Sequence, residues 1–103
     1  MSDSKATTVT ATIDEADEYT ASFAVIGPSR GRNFHFNLAV TGTAPITLQR
    51  SIDGGSTWMD VERFTASADK LVEDWHEEGA WLYRAGCKTG ETITGSAVAT
   101  LFW

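Results

Sequence analysis

The chain has 103 residues, which suits one domain with one modest core, and its 42% hydrophobic and 11% aromatic content, with four tryptophans, excludes a disordered polypeptide. A formal net charge of -6 gives a surface that repels phosphate and so disfavours direct contact with nucleic acid or an anionic membrane. No apolar run approaches the ~18 residues that cross a bilayer, and the single cysteine, Cys87, permits no internal disulfide and no cysteine-based zinc cluster.

The N-terminal stretch MSDSKATTVTATIDEADEY has neither the basic start nor the apolar run of a cleaved signal peptide, so synthesis in the cytoplasm is expected. Residues 1–7 read as a polar arm and 8–103 as one β-domain. Residues 8–13 and 21–26 are predicted as the first two strands, with the acidic DEADE tract between them. GPSRGR, residues 27–32, is a loop, because Pro28 lacks a backbone donor and the glycines free the chain. In NFHFNLAV, Phe34, Phe36, Leu38 and Val40 alternate with His35, Asn37 and Ala39, the period-two pattern of a half-buried strand. His35 is then either solvent-facing or buried with a hydrogen-bonded partner. ITLQRS and TWMDVERF follow as strands on either side of IDGGS, and residues 80–88 and 95–103 close the series. For 66–79 a short helical turn and a long crossover loop are both open. Seven or eight short strands predict an all-β fold, an antiparallel, immunoglobulin-like β-sandwich, with a small barrel as the alternative.

SIDGGSTW, residues 51–58, fits S-x-D-x-G-x-T-W, the Asp box of sialidases and related β-propellers. One copy in a chain with room for barely two blades rules out a propeller. The stretch is predicted as a tied hairpin formed by Ser51, Asp53, Gly55, Thr57 and Trp58. Asp53 accepts backbone N–H bonds, the glycines take positive φ and Trp58 folds over the turn. Phe34, Phe36, Trp58 and Tyr83 are expected in the core, and Cys87 as a small core residue.

Candidate chemistry is sparse. His76 lies in EDWHEE with Glu73, Asp74, Glu77 and Glu78, but one imidazole at this spacing matches no metal-ligand pattern. Asp14, Glu15, Asp17 and Glu18 lack the EF-hand glycine pivot. No nucleophile-elbow motif is present and a chain this small leaves little room for a catalytic cleft, so no enzyme, no cofactor and no metal site are expected. Trp75 on an acidic stretch, Trp103 at the chain end, and Arg30 and Arg32 on the Gly-Pro loop are the expected partner-contacting residues.

FNLAVTGT, ITLQRSIDGGSTWMDV and LYRAGCKTGETITGSAVATL together resemble a group of small tailed-bacteriophage virion proteins, over roughly residues 23–101. ADKLVEDWHEE and the LFW ending depart from that pattern. The resemblance implies a structural virion component, a capsid decoration (cement) protein on the capsid exterior that binds the phage major capsid protein. A homo-oligomer, a trimer for instance, would suit shell symmetry. The alternative is a tail- or fibre-associated immunoglobulin-like module that binds a host surface glycan or protein. A small glycosidase is the third and most remote reading.

Overall fold

Short runs of Thr, Val, Ile and aromatic residues, each closed by a turn, leave this chain little choice but strands that pair at long range. A computed structural model describes residues 8–25, 32–74 and 81–102. Nine strands are present among them: β1 (Thr8–Ile13), β2 (Glu18–Tyr19), β3 (Phe23–Val25), β4 (Arg32–Thr41), β5 (Ile46–Ser51), β6 (Met59–Phe64), β7 (Ala68–Asp74), β8 (Trp81–Cys87) and β9 (Ser96–Phe102). Sheet A has the order β1-β9-β4-β7; sheet B has the order β2-β8-β5-β6, with β3 also on β8.

β2 and β3 are two halves of one edge strand. Tyr19 pairs with Gly86, the Thr20 N–H donates to the Ala85 carbonyl at 2.8 Å, and pairing resumes at Phe23 opposite Tyr83. Ala21 and Ser22 therefore both face Arg84, which makes a β-bulge. With β2 and β3 merged, eight strands form two four-stranded sheets, crossing between them at every connection but β5–β6, in the two-Greek-key connectivity of a jelly roll. The sandwich is as the sequence predicts; its strand order is distinct from the immunoglobulin arrangement.

The pairings nest. Thr8 pairs with Phe102, Phe23 with Tyr83, Phe34 with Val72 and Arg50 with Met59. In all these ladders the midpoint of each residue pair falls within Ile52–Gly55. The described chain is thus one long antiparallel ribbon doubled back at the Asp-box turn. Rolling that ribbon brings β4 onto β9 and β5 onto β8. Among the described strands, β5–β6 is the one hairpin that joins consecutive, directly paired strands.

Residues 66–79 prove to be neither helical turn nor simple loop over the described part, because Ala68–Asp74 is the edge strand β7. Val72 turns inward opposite Phe34, while Leu71, opposite His35, is exposed. Lys70 shares the inward side and pairs across the sandwich rim with Glu62 of β6, which breaks the apolar alternation and hides the strand in the sequence.

Between the sheets, Phe34 contacts both Phe23 and Tyr83, with ring centroids 5.3 and 4.6 Å apart, and Phe36 meets Phe64 at 5.0 Å. Ile13, Leu38, Ile46, Leu48, Cys87 and Leu101 complete the core. Phe34, Phe36, Tyr83 and Cys87 are where the sequence places them. His35 is exposed and stacks on Phe102, with centroids 5.1 Å apart.

Gly86 fixes how closely the β2 edge approaches β8. A Cβ there would lie 2.2 Å from the Glu18 carbonyl oxygen and 2.7 Å from the Tyr19 Cα, both backbone atoms. Gly86→Ala must push β2 away, and a loss of about 2–3 kcal/mol in urea unfolding is expected, in the range for overpacking a close-packed site. A variant as stable as the parent would show that β2 does not need this approach.

Candidate functional site

The Asp-box turn closes as its composition dictates. The Ser51 hydroxyl donates to Asp53 Oδ1 at 2.8 Å and accepts the Gly55 N–H at 2.8 Å, while Asp53 Oδ1 accepts the Thr57 N–H at 2.9 Å. Gly55 holds φ +101°, a conformation in which a side chain would be strained. The Thr57 backbone bond, followed by the Ser51 hydroxyl, holds the Asp53 carboxyl below its ordinary range. Ser51, Asp53, Gly55 and Thr57 thus form the tied turn that the motif predicts.

Trp58 departs from the expectation that placed it in the core. It is half-buried on the outer face of sheet B, because it precedes β6 on the side that carries Gln49 and Asp60. It does fold back over the turn: a Cβ on Gly55 would lie 3.9 Å from Trp58 Cζ2 and 3.7 Å from Leu82 Cδ1. One side of its indole receives Arg84, whose guanidinium carbon is 4.3 Å from the ring centroid. At the Gly86 end of the same strand, Tyr19 lies 3.8 Å from that carbon. Arg84 is therefore bracketed by two aromatic rings, one set by the Asp-box turn and the other by the glycine that lets β2 close on β8.

A polar chain runs from this stack. Arg84 Nε donates to Gln49 Oε1 at 2.8 Å, Gln49 Nε2 donates to Asp60 Oδ1 at 2.9 Å, and Lys88 Nζ donates to Asp60 Oδ2 at 2.7 Å. The Gln49 bond and then Lys88 lower the Asp60 carboxyl, and Asp60 in turn raises Lys88. Alongside, Arg63 makes a bidentate pair with Glu91, both contacts at 2.9 Å, which lowers the Glu91 carboxyl.

These long side chains cover the sheet beneath them. Thr47, Gln49 and Ser51 point outward, yet their exposures are only 2%, 5% and 0%. An openly solvated sheet face would leave them wet. Both sheet-B bulges border the Gln49–Arg84 pair: Ala21 and Ser22 sit opposite Arg84, and the β5–β6 register shifts between Leu48 and Gln49. Bulges of this kind bend strands and re-aim side chains, often beside functional sites. The outer face of sheet B is a built surface, and it is the candidate site.

The partner-contacting residues expected from the sequence fall largely outside the described residues. Arg30, Trp75 and Trp103 lie outside the described residues, as do His76, Glu77 and Glu78; Arg32 opens β4 opposite Asp74, and its side chain is likewise outside the description. The carboxylates of Asp14, Glu15 and Glu18 come within 4.8 Å of one another, and Glu18 Oε1 accepts the Asp14 N–H at 2.9 Å. That acidic cluster carries no assignment. Burial pushes the Cys87 thiol upward, as befits a packed residue. Among the described residues no helix is long and apolar enough to cross a membrane.

No protein-family model and no curated protein matches the chain. Among solved structures, the crystal structure of a Yersinia pseudotuberculosis-derived mitogen is similar in fold. Its TM-score is 0.50 at 21% identity, over 94% of this chain and 84% of that one. At this identity the likeness establishes the β-sandwich architecture and nothing about activity.

Acid should loosen this face first. Asp53, Asp60 and Glu91 all have folded pKa values below their ordinary ones, so the stability they confer is present above the unfolded carboxylate range, about 4, and is lost as pH falls through the folded values. Thermal melts from pH 7 down to pH 2 should show a falling Tm below pH ~4. Asp60→Asn should start from a lower Tm at pH 7 and fall less steeply. Parallel acid limbs for variant and parent would contradict the assignment.

Proposed function

We propose that this chain is a structural, non-catalytic component of a tailed-bacteriophage virion, a decoration protein that docks on the major capsid protein from the capsid exterior. The observation that carries the reading is the convergence of one set of residues. Gln49, Trp58, Arg84 and Lys88 all come from the stretches that resemble small phage virion proteins, and they fold onto one packed face of sheet B. Trp, Tyr and Arg are the side chains that most often dominate protein interfaces. Holding them in place before contact lowers the entropy lost on docking.

A decoration protein acts by differential binding: it favours the shell state whose surface it fits and stabilises that state by mass action. Many equivalent copies make a modest individual affinity sufficient, and a homo-oligomer such as a trimer would match shell symmetry. Jelly rolls are found in both capsid and lectin domains, so the architecture is compatible with this role and with sugar binding. The second reading, a tail or fibre module for a host surface glycan or protein, draws on a cavity of about 350 Å³ lined by Thr43, Pro45, Thr65, Thr92 and the Arg63–Glu91 pair. Its hydroxyls and ion pair offer hydrogen bonds to a sugar.

Quantitative mass spectrometry of purified virions separates the two. A fixed simple ratio to the major capsid protein is expected for decoration. A handful of copies per particle would move the chain to the tail, and absence from virions would overturn both readings.

A further inference from the structure

Among the described residues three cations lie on the outer face of sheet B, and two of them are neutralised. Arg63 is paired with Glu91 and Lys88 with Asp60. Among the described residues Arg84 pairs with no carboxylate. Its Nε is committed to the neutral Gln49 amide, and among the described residues its two Nη atoms hydrogen-bond to no protein atom. Tyr19 and Trp58 bracket the guanidinium and shield it from water on two sides. On a protein of net charge -6, this face therefore holds one positively charged, oriented and partly desolvated fork whose natural complement is a carboxylate.

We propose that Arg84 is a recognition residue that takes an Asp or Glu carboxylate of a protein partner in a bidentate pair, with Tyr19 and Trp58 flanking the contact. The identity of that partner as the capsid shell rests on the reading given above; the chemistry of the contact does not. Charge complementarity points to the ligand class, since the other described cations of the face, Arg63 and Lys88, already have their acids. A protein surface fits better than a free small acid because Arg84 stands on a sheet face. Cavities of about 350 Å³ beside Pro45 and about 380 Å³ beside Ser67 are lined by other residues. Fixing Nε through Gln49 leaves the two Nη groups as the remaining edge of the guanidinium, which a carboxylate can engage end-on through two parallel hydrogen bonds. Lysine cannot reproduce that geometry or the stacking.

The test uses the full chain labelled with ¹⁵N-arginine. It is titrated with the amidated peptide Gly-Glu-Gly-Glu-Gly, with its Gln counterpart, and with sialyllactose. The expected result is a saturable shift of the Arg84 Nε–H resonance and of tryptophan fluorescence, at least tenfold tighter for the Glu peptide than for the Gln peptide. In Arg84→Lys, whose cooperative melt and parent-like circular dichroism would show that it folds, the fluorescence response should weaken at least tenfold. Equal response to both peptides, or undiminished binding by Arg84→Lys, would overturn the proposal. Binding of sialyllactose in place of the Glu peptide would overturn the protein partner in favour of a sugar acid. Co-sedimentation with purified phage heads separates this inference from the decoration reading. Heads that bind parent and Arg84→Lys alike sink the role of Arg84 alone, whereas heads that bind neither, with the Glu-peptide response intact, sink decoration and leave carboxylate recognition standing.

Discussion

The rest of the structure hangs on the turn tied by Asp53. Every ladder of the doubled ribbon, from Arg50–Met59 beside the turn to Thr8–Phe102 at its far end, is centred within Ile52–Gly55. Because side chains alternate along a strand with period two, a shift of one residue at the turn would exchange core and solvent faces for whichever strand slipped. The Ser51 hydroxyl, donating to Asp53 and accepting the Gly55 N–H, and the Asp53 carboxylate, accepting the Thr57 N–H, fix that register where loop closure costs least entropy. The remaining pairings join residues far apart in sequence, so they gain most from a point already in place.

The same turn reaches the surface. By folding Trp58 back over Gly55 it sets one wall of the Arg84 bracket, and the β2 edge, admitted by Gly86, sets the other. Gln49 then links Arg84 to Asp60 and Lys88 across three strands. Each contact is individually modest at a partly exposed face. Their value lies in mutual orientation, because each side chain restricts the next and Gln49 is left almost dry beneath them. The Asp box here is a structural device: it ties the turn and sets one wall of the Arg84 bracket.

Much of this was legible before any coordinates. The alternation of Phe34, Phe36 and Leu38 against His35, Asn37 and Ala39 defines β4 and its core face, and the glycine-rich turn between apolar runs defines β5–β6. β7 was hidden by Lys70, whose inward position depends on Glu62 in another strand. β2 was hidden by its length of two residues and by the bulge that follows it. Trp58 was misplaced because hydrophobicity alone argues for the core, while its Arg84 partner, 26 positions away in the sequence, depends on the β5–β8 register. One further signal lies in the sequence: the expected strands are spaced almost symmetrically about DGG, which is what a doubled ribbon requires. The charged and aromatic residues of the face come together only after rolling, so no local pattern announces them.

The most direct measurement is a double-mutant cycle on folding stability between Asp53→Ala and Arg84→Ala. These residues belong to different ends of the chain of contacts and are joined through Trp58. If the turn and the face are one unit, the double variant loses less than the sum of the two single variants, since either change already releases the indole. Strict additivity would contradict the account, leaving the Asp box as a turn and the Arg84 face as a separate feature that happens to lie beside it.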